Sequence, residues 1–361
     1  MVTIILARTE SKNERTLMSK MYYSTYLQLD KILNAQFPES AKQETPAHDE
    51  MLFIIIHQTY ELWFKQIMHE LDSVREIFRN PINDNSPGMQ IAVHRMKRVV
   101  AILRIAVDQI TVMETMTPLD FLDFRNMLRP ASGFQSIQFK MLEALLGLKM
   151  QNRHAGNYYV SQLKPEDMDK IVQAEKERSL LDFINEWLER MPFFDDAIFW
   201  EEENDLKNSE HHFFWEDYRA IYKSSLVKEE GDNLNAFDEV FLSKQRDASR
   251  KLSAKASRSA LFIMLYRDYP LLQQPYQLLT TLLDIDELLA AWRYRHMNMV
   301  HRIIGTRIGT GGSSGKEYLK GALDRHYVFG EIAELSTFLI ERNKLPKLPQ
   351  SLEERLGFVR K

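Results

Sequence analysis

Between Pro46 and Pro81 the chain runs without a single proline or glycine, and its composition there favours helix from end to end. Asp49 and Glu50 sit where a first turn would welcome acids, and Pro81 stands just past the end, so the spacing predicts a helix over about 46–79. Its early part, Leu52, Phe53, Ile54, Ile55 and Ile56, is apolar nearly all round, the mark of a helix buried on every side. The same punctuation recurs along the chain. Only 12 prolines and 13 glycines interrupt 361 residues, and Pro46, Pro81, Pro118, Pro165 and Pro270 fall where a helix would start or stop. Further helices are expected over about 89–116, 118–128, 134–149, 165–190, 237–251, 261–267, 285–304 and 316–341, with no alternating strand pattern between them. The pattern predicts an all-α fold, a bundle of long packed helices. Residues 201–208 and 223–235 read as loops rather than interdomain linkers. The expectation is therefore one domain over 1–361, with a small helical insertion around 190–250 and an N-terminal segment, 1–20, that the pattern leaves undetermined.

Several chemistries are excluded. With no cysteine there is no disulfide, thiolate nucleophile, Cys-ligated zinc or iron–sulfur cluster, so any metal falls to the ten histidines, the carboxylates or neutral donors. A net charge of −4 is the wrong sign for a protein that gains affinity by neutralising phosphates, so no nucleic-acid partner is expected. The apolar patch at 1–7 is too short for a signal or a span, and the run Met51–Ile56 stops at His57. A cytoplasmic protein without a membrane partner is expected. No histidine has a glutamate three residues before it, as a di-iron helical bundle requires, and neither HExxH nor Gly-x-Ser-x-Gly occurs.

Five glycines fall between Gly305 and Gly315. This loop fails the Walker A pattern at Thr310 and Glu317 and the dinucleotide fingerprint at Ser314, so it either brings backbone amides to an anion or joins two helices. Three polar residues stand out on apolar faces. His296 has Leu289, Trp292, Met299, Val300 and Ile303 at helical spacing, which suits a core histidine bonded to a backbone carbonyl or an axial haem ligand walled off from water. His57 follows five apolar residues, with Phe53 one turn before and Glu61 and Phe64 beyond, a position for a distal pocket or for another buried polar group. Arg125 lies among Phe121, Leu122 and Leu128, and a guanidinium there needs an anion, either an internal carboxylate or that of a substrate.

At these residues the sequence resembles the tryptophan 2,3-dioxygenases, tetrameric haem enzymes that open the indole ring. The motifs are Tyr26–Leu33, His48–Phe53, His57–Gln66, Asp120–Arg125, Pro130–Ser136, Trp292–His296 and the glycine-rich loop, spread from about Tyr22 to Thr337. The resemblance implies haem b, one per subunit and ferrous in the active form, with His296 as its metal ligand and Trp292 and Ser132 beside it. It implies His57 as the distal histidine that meets the indole N–H, and Phe53 as the wall against the indole. Ile54, Ile55 and Ile56 then fall in the same substrate-binding stretch, and Phe121 in the pocket. Arg125 and Thr310 are implied to hold the amino-acid end, with the glycine loop as a lid. Tyr23 and Tyr26 are implied to reach a neighbouring subunit's site, in a homotetramer built as a dimer of dimers; Ser24 stands where the family often has glycine. The implied activity is insertion of both atoms of O2 across the indole C2–C3 bond of L-tryptophan, giving N-formyl-L-kynurenine at the head of the kynurenine route. Rivals are a dioxygenase of broader indoleamine range, a haem sensor without turnover and a helical scaffold without cofactor.

Overall fold

The helices begin where their sequences place caps. Ser86 accepts the Met89 amide ahead of Pro87, and Thr117 and Asp120 close a reciprocal capping box ahead of Pro118. Ser136 and Ser179 cap two more helices in the same way. The computed structural model describes residues 21–82, 86–150, 153, 163–191, 193, 200, 212–243, 250–307, 309 and 326–357.

In chain order the helices are α1 (Tyr23–Tyr26), α2 (Leu29–Leu33), α3 (Glu50–Phe78), α4 (Pro87–Met113), α5 (Pro118–Arg125), α6 (Ile137–Leu146) and α7 (Pro165–Lys176). There follow α8 (Leu180–Glu189), α9 (Phe213–Ser225), α10 (Asn233–Phe237), α11 (Ala254–Leu265), α12 (Pro270–Ile304), α13 (Gly330–Glu334) and α14 (Gln350–Leu356). The fold is all-α, and among the described residues every regular element is a helix. The frame is α12 packed along α4, and α4 along α3, with α6 and α8 against α3 and α11 against α8. Over 35 residues α12 extends for about 50 Å.

Several expected boundaries move, each for a local reason. The stretch expected as one helix over 165–190 is two, because the Ser179–Asp182 capping box starts a new helix at Leu180. The helix expected from residue 285 begins at Pro270, and Pro275, near its N-terminus, is accommodated without a break. The described residues of the stretch expected as a helix over 237–251 are not an α-helix beyond its first residue. Phe237 ends α10, a wide π-type turn follows over Asp238–Leu242, and 244–249 lie outside the described residues. Of 316–341 the described part is 326–341, and within it Gly330–Glu334 is α-helical, continued by a 3-10 turn to Phe338.

The larger apolar core joins α3, α4, α6, α8, α11 and α12. It also takes in Phe214, Trp215, Tyr218 and Tyr222 of α9, so the described part of the 190–250 region shares one core with the long helices. A smaller cluster of Ile56, Ile110, Met113, Met116, Phe124 and Met299 closes one end of the α3–α4–α12 layer. Gly147 ends α6 at φ +133°, and an added Cβ would stand 2.9 Å from Leu181 Cβ of α8. Gly147→Ala is expected to destabilise the protein by roughly 1–3 kcal/mol, read as a lowered denaturation midpoint at unchanged slope. An unchanged midpoint would mean that the α6–α8 corner relaxes freely.

Candidate active site

The smaller apolar cluster borders a cavity of about 300 Å³. From α3 it receives Phe53, His57, Tyr60, Glu61 and Phe64, one stripe of the helix at successive turns. From α12 come Trp292, Arg293, His296, Met299, Val300 and Ile303, and from α5 Phe121 and Arg125. Ser132, Gly133 and Phe134 close it on the loop side, and Phe139, Lys140 and Glu143 of α6 on another.

The helical repeat decides which sequence candidates reach this space. Phe53 and His57 line the cavity. Ile54, Ile55 and Ile56, each turned about 100° further round α3, do not. Ile56 packs in the apolar cluster and Ile55 is exposed, so of this stretch Phe53 and His57 are the residues that line the cavity. Tyr23 and Tyr26 are 72% and 66% exposed and line no part of this chain's own cavity. Thr310 lies outside the described residues.

His57 faces the cavity with the surface it leaves open, while protein surrounds the rest of the ring. Phe53 stacks on it at 4.2 Å between ring centres, tilted by 35°. His57 Nδ1 lies 2.7 Å from the Phe53 carbonyl oxygen, so the proton belongs on Nδ1 and Nε2 is left as an acceptor. Burial lowers the pKa of His57, against the Phe53 contact and Glu61, which raise it; the imidazole is neutral at neutral pH.

His296 stacks on Trp292, with ring centres 5.2 Å apart and planes 10° from parallel. Its Nδ1 is buried and has no hydrogen-bond partner, which overturns the carbonyl-bonded core reading. Burial first, and then His57, push its pKa down to about 4. A neutral imidazole on an apolar cavity wall has the chemistry of a metal ligand. Among the described residues no three His, Asp or Glu side chains come together to hold an ion, so a metal at His296 would bring its other ligands with it.

Arg125 is 5% exposed, and burial followed by the charges of Arg129 and Arg307 lowers its pKa. Two further guanidiniums thus press on the first, and this end of the cavity attracts an anion. The aromatic wall between the two ends is Phe53, with Phe121 at 5.8 Å and Phe124 at 5.5 Å. Ser132 lines the opposite side, its hydroxyl accepting the Phe134 amide.

The chain is similar to known proteins over most of its length. The sequence model of the family described as tryptophan 2,3-dioxygenase matches residues 7–339. The chain belongs to this family. The tryptophan 2,3-dioxygenase of Bdellovibrio bacteriovorus is 42% identical over 94% of this chain and 98% of that protein. That of Dictyostelium discoideum is 43% identical over 94% and 88%, and tryptophan 2,3-dioxygenase B of Danio rerio is 42% identical over 92% and 85%. The matched range contains His57, Arg125 and His296.

A second polar set, not among the sequence candidates, stands on the cavity wall. Glu143 is buried between Arg153, Arg293 and His326. Burial alone would raise its pKa, but Arg153, His326 and Arg293 hold the carboxyl well below the usual range. Burial pushes neighbouring Lys140 down to about 7, with Glu143 opposing and Arg153 adding to the fall. The available signal was a lysine and a glutamate at i, i+3 among Leu142, Leu145 and Leu146 on an otherwise apolar helix. Glu61 was also passed over. Its carboxylate accepts the Ser136 hydroxyl at 2.6 Å and the Gln138 amide at 2.8 Å, tying the Ser132 loop to α3.

Proposed function

We propose that the chain is a haem-dependent dioxygenase that inserts both atoms of O2 across the indole C2–C3 bond of L-tryptophan, giving N-formyl-L-kynurenine, the first step of the kynurenine route. The observation that carries this reading is His296: a neutral, hydrogen-bond-orphaned imidazole in the same apolar cavity as a neutral His57 and a buried Arg125. Those residues fit haem b, one per subunit. A macrocycle brings its own ring of ligands, so one imidazole suffices, and Trp292 and Ser132 flank it. When bound in the ferrous state, the haem supplies the binding and activation of O2.

The chain's own residues bind and orient. His57 Nε2, an acceptor because Nδ1 is committed to the Phe53 carbonyl, takes the indole N–H. It is a hydrogen-bonding residue and not an obligatory base, since an indole N–H is only very weakly acidic. Phe53 and Phe121 give the indole an apolar wall and exclude water. Arg125, with Thr310, takes the substrate carboxylate and so sets how far the indole reaches and which enantiomer fits. The exposed apolar side chains of α1 and α2, Tyr23, Tyr26 and Leu33 among them, fit burial in a neighbouring subunit of a homotetramer, where Tyr23 and Tyr26 would complete that subunit's pocket. No described helix is long and apolar enough to cross a membrane, in keeping with a cytoplasmic address.

The deciding experiment is to reduce haem-loaded protein anaerobically and then admit L-tryptophan and labelled O2. N-formylkynurenine carrying two labelled oxygens is the expected product. Haem uptake without product would leave a haem sensor, and turnover of tryptamine as fast as tryptophan would point to the broader indoleamine range. The pH profile tests His57 separately. Because its pKa lies below 6.5, the acceptor is free throughout the neutral range, so kcat/KM should be flat near pH 7–8 and fall only as acid protonates Nε2. His57→Ser should lower kcat/KM by about 10–100-fold while keeping the haem, and should remove that acid limb. An unchanged limb would assign it to another group.

A further inference from the structure

We infer that Arg293 and Arg295 are positioning residues that set the direction of the His296 imidazole by fixing the rotation of α12. The inference rests on the haem reading above and concerns residues that reading does not use. A ligating histidine is ordinarily oriented through its other ring nitrogen, which donates to a carbonyl or carboxylate. His296 lacks this: its Nδ1 is buried without a partner. Its direction must come from the helix that carries it and from the Trp292 ring against it.

His296 lies on the face of α12 that lines the cavity. Two guanidiniums bracket that turn. Arg293 Nη2 donates to Glu143 Oε1 of α6 at 2.6 Å and Nη1 to the His326 carbonyl at 3.4 Å. Arg295 Nη2 donates to Glu114 Oε2 at 2.9 Å and Nη1 to the Val107 carbonyl at 3.2 Å, at the end of α4. At about 100° per residue these two side chains leave α12 some 200° apart, on opposite sides. Turning the helix either way stretches one tether against the other.

The tolerance is small. An imidazole tip stands about 6 Å from the helix axis, so a 10° rotation moves it about 1 Å, beyond the roughly 0.5 Å within which functional groups are held. Glu143 is an effective anchor because it stays ionised and is fixed by Arg153 from its own side. A lysine at 293 would keep the charge and lose the planar two-point fork.

The test uses the full-length haem-loaded protein with Arg293→Lys, Glu143→Gln and Arg295→Lys. Arg75→Lys serves as control: Arg75 is equally buried and tethers α3 to Glu177 and the Arg178 carbonyl, outside the cavity lining. The three test variants should release haem to apomyoglobin about 10-fold faster or more, the effect usual for an outer partner of a metal ligand. They should also shift and broaden the ferrous iron–histidine stretching band. Arg75→Lys should lower the melting temperature and leave both readouts alone. Unchanged release and an unchanged band in the Arg293 and Arg295 variants would overturn the inference, as would equal changes in Arg75→Lys. Unsubstituted protein that takes up no haem would instead sink the haem reading itself.

Discussion

His296→Gly is expected to give a protein that folds, takes up no stable haem and forms no product. Among the described residues three histidines line the cavity, His57, His296 and His326. His57 has Nδ1 on the Phe53 carbonyl, and His326 Nδ1 lies 3.6 Å from Glu143 among buried charges. Of these, His296 stands with Trp292, Met299 and Val300 on the apolar wall and is the one the haem reading takes as ligand. Losing a metal ligand outright should exceed the about 10–100-fold that losing an outer partner costs. The stacked Trp292 and the neighbouring Met299 and Val300 would leave an apolar gap the size of the deleted ring, so added imidazole should enter it and restore part of the haem absorbance. His57→Ser and His326→Gln should keep their haem. Retention of haem by the His296 variant together with its loss from the His57 variant would exchange the two roles. Removing an unsatisfied buried nitrogen should not itself unfold the chain, and a melting temperature no lower than that of unsubstituted haem-free protein would make the comparison clean.

The helices were legible because their signals are local: Pro118 behind Thr117, and the long run free of proline and glycine over α3. The break at Ser179 was missed although its Ser-x-x-Asp box is equally local, because Pro165–Arg190 otherwise keeps one apolar period. His296, His57 and Arg125 were legible as oddities, a polar group on an apolar face being costly wherever the helix goes. Their convergence on one cavity was not, since helical spacing orders residues around one axis and says nothing of a partner two hundred residues away. The isoleucines after Phe53 mark the same limit. A run apolar on every side shows burial, and only the packed neighbours decide that Ile56 meets the Met113–Met299 cluster while His57 meets the cavity. Glu143 was invisible for another reason: its cost is offset by Arg153 and Arg293, the second of which lies on a different helix.

Arg125→Met should reduce kcat/KM for L-tryptophan by about 10²–10⁴-fold and should abolish the preference for tryptophan over tryptamine. Two charge-assisted hydrogen bonds to a carboxylate contribute about 1.5–3 kcal/mol each, which sets that range at 1.4 kcal/mol per tenfold. Methionine keeps the apolar packing beside Phe121 and Phe124 and removes a buried cation already pressed by Arg129 and Arg307. A melting temperature within a few degrees of the unsubstituted protein's would assign a fall in activity to substrate binding rather than to folding. Tryptamine has no carboxylate to offer Arg125, and in the variant it meets a neutral wall. Its kcat/KM should be unchanged or higher in Arg125→Met. Four rate constants, two substrates on two proteins, close a cycle whose coupling term isolates the guanidinium–carboxylate contact from everything else the substitution alters. A coupling term near zero, with both substrates slowed alike, would place Arg125 in the scaffold and hand the carboxylate to another residue.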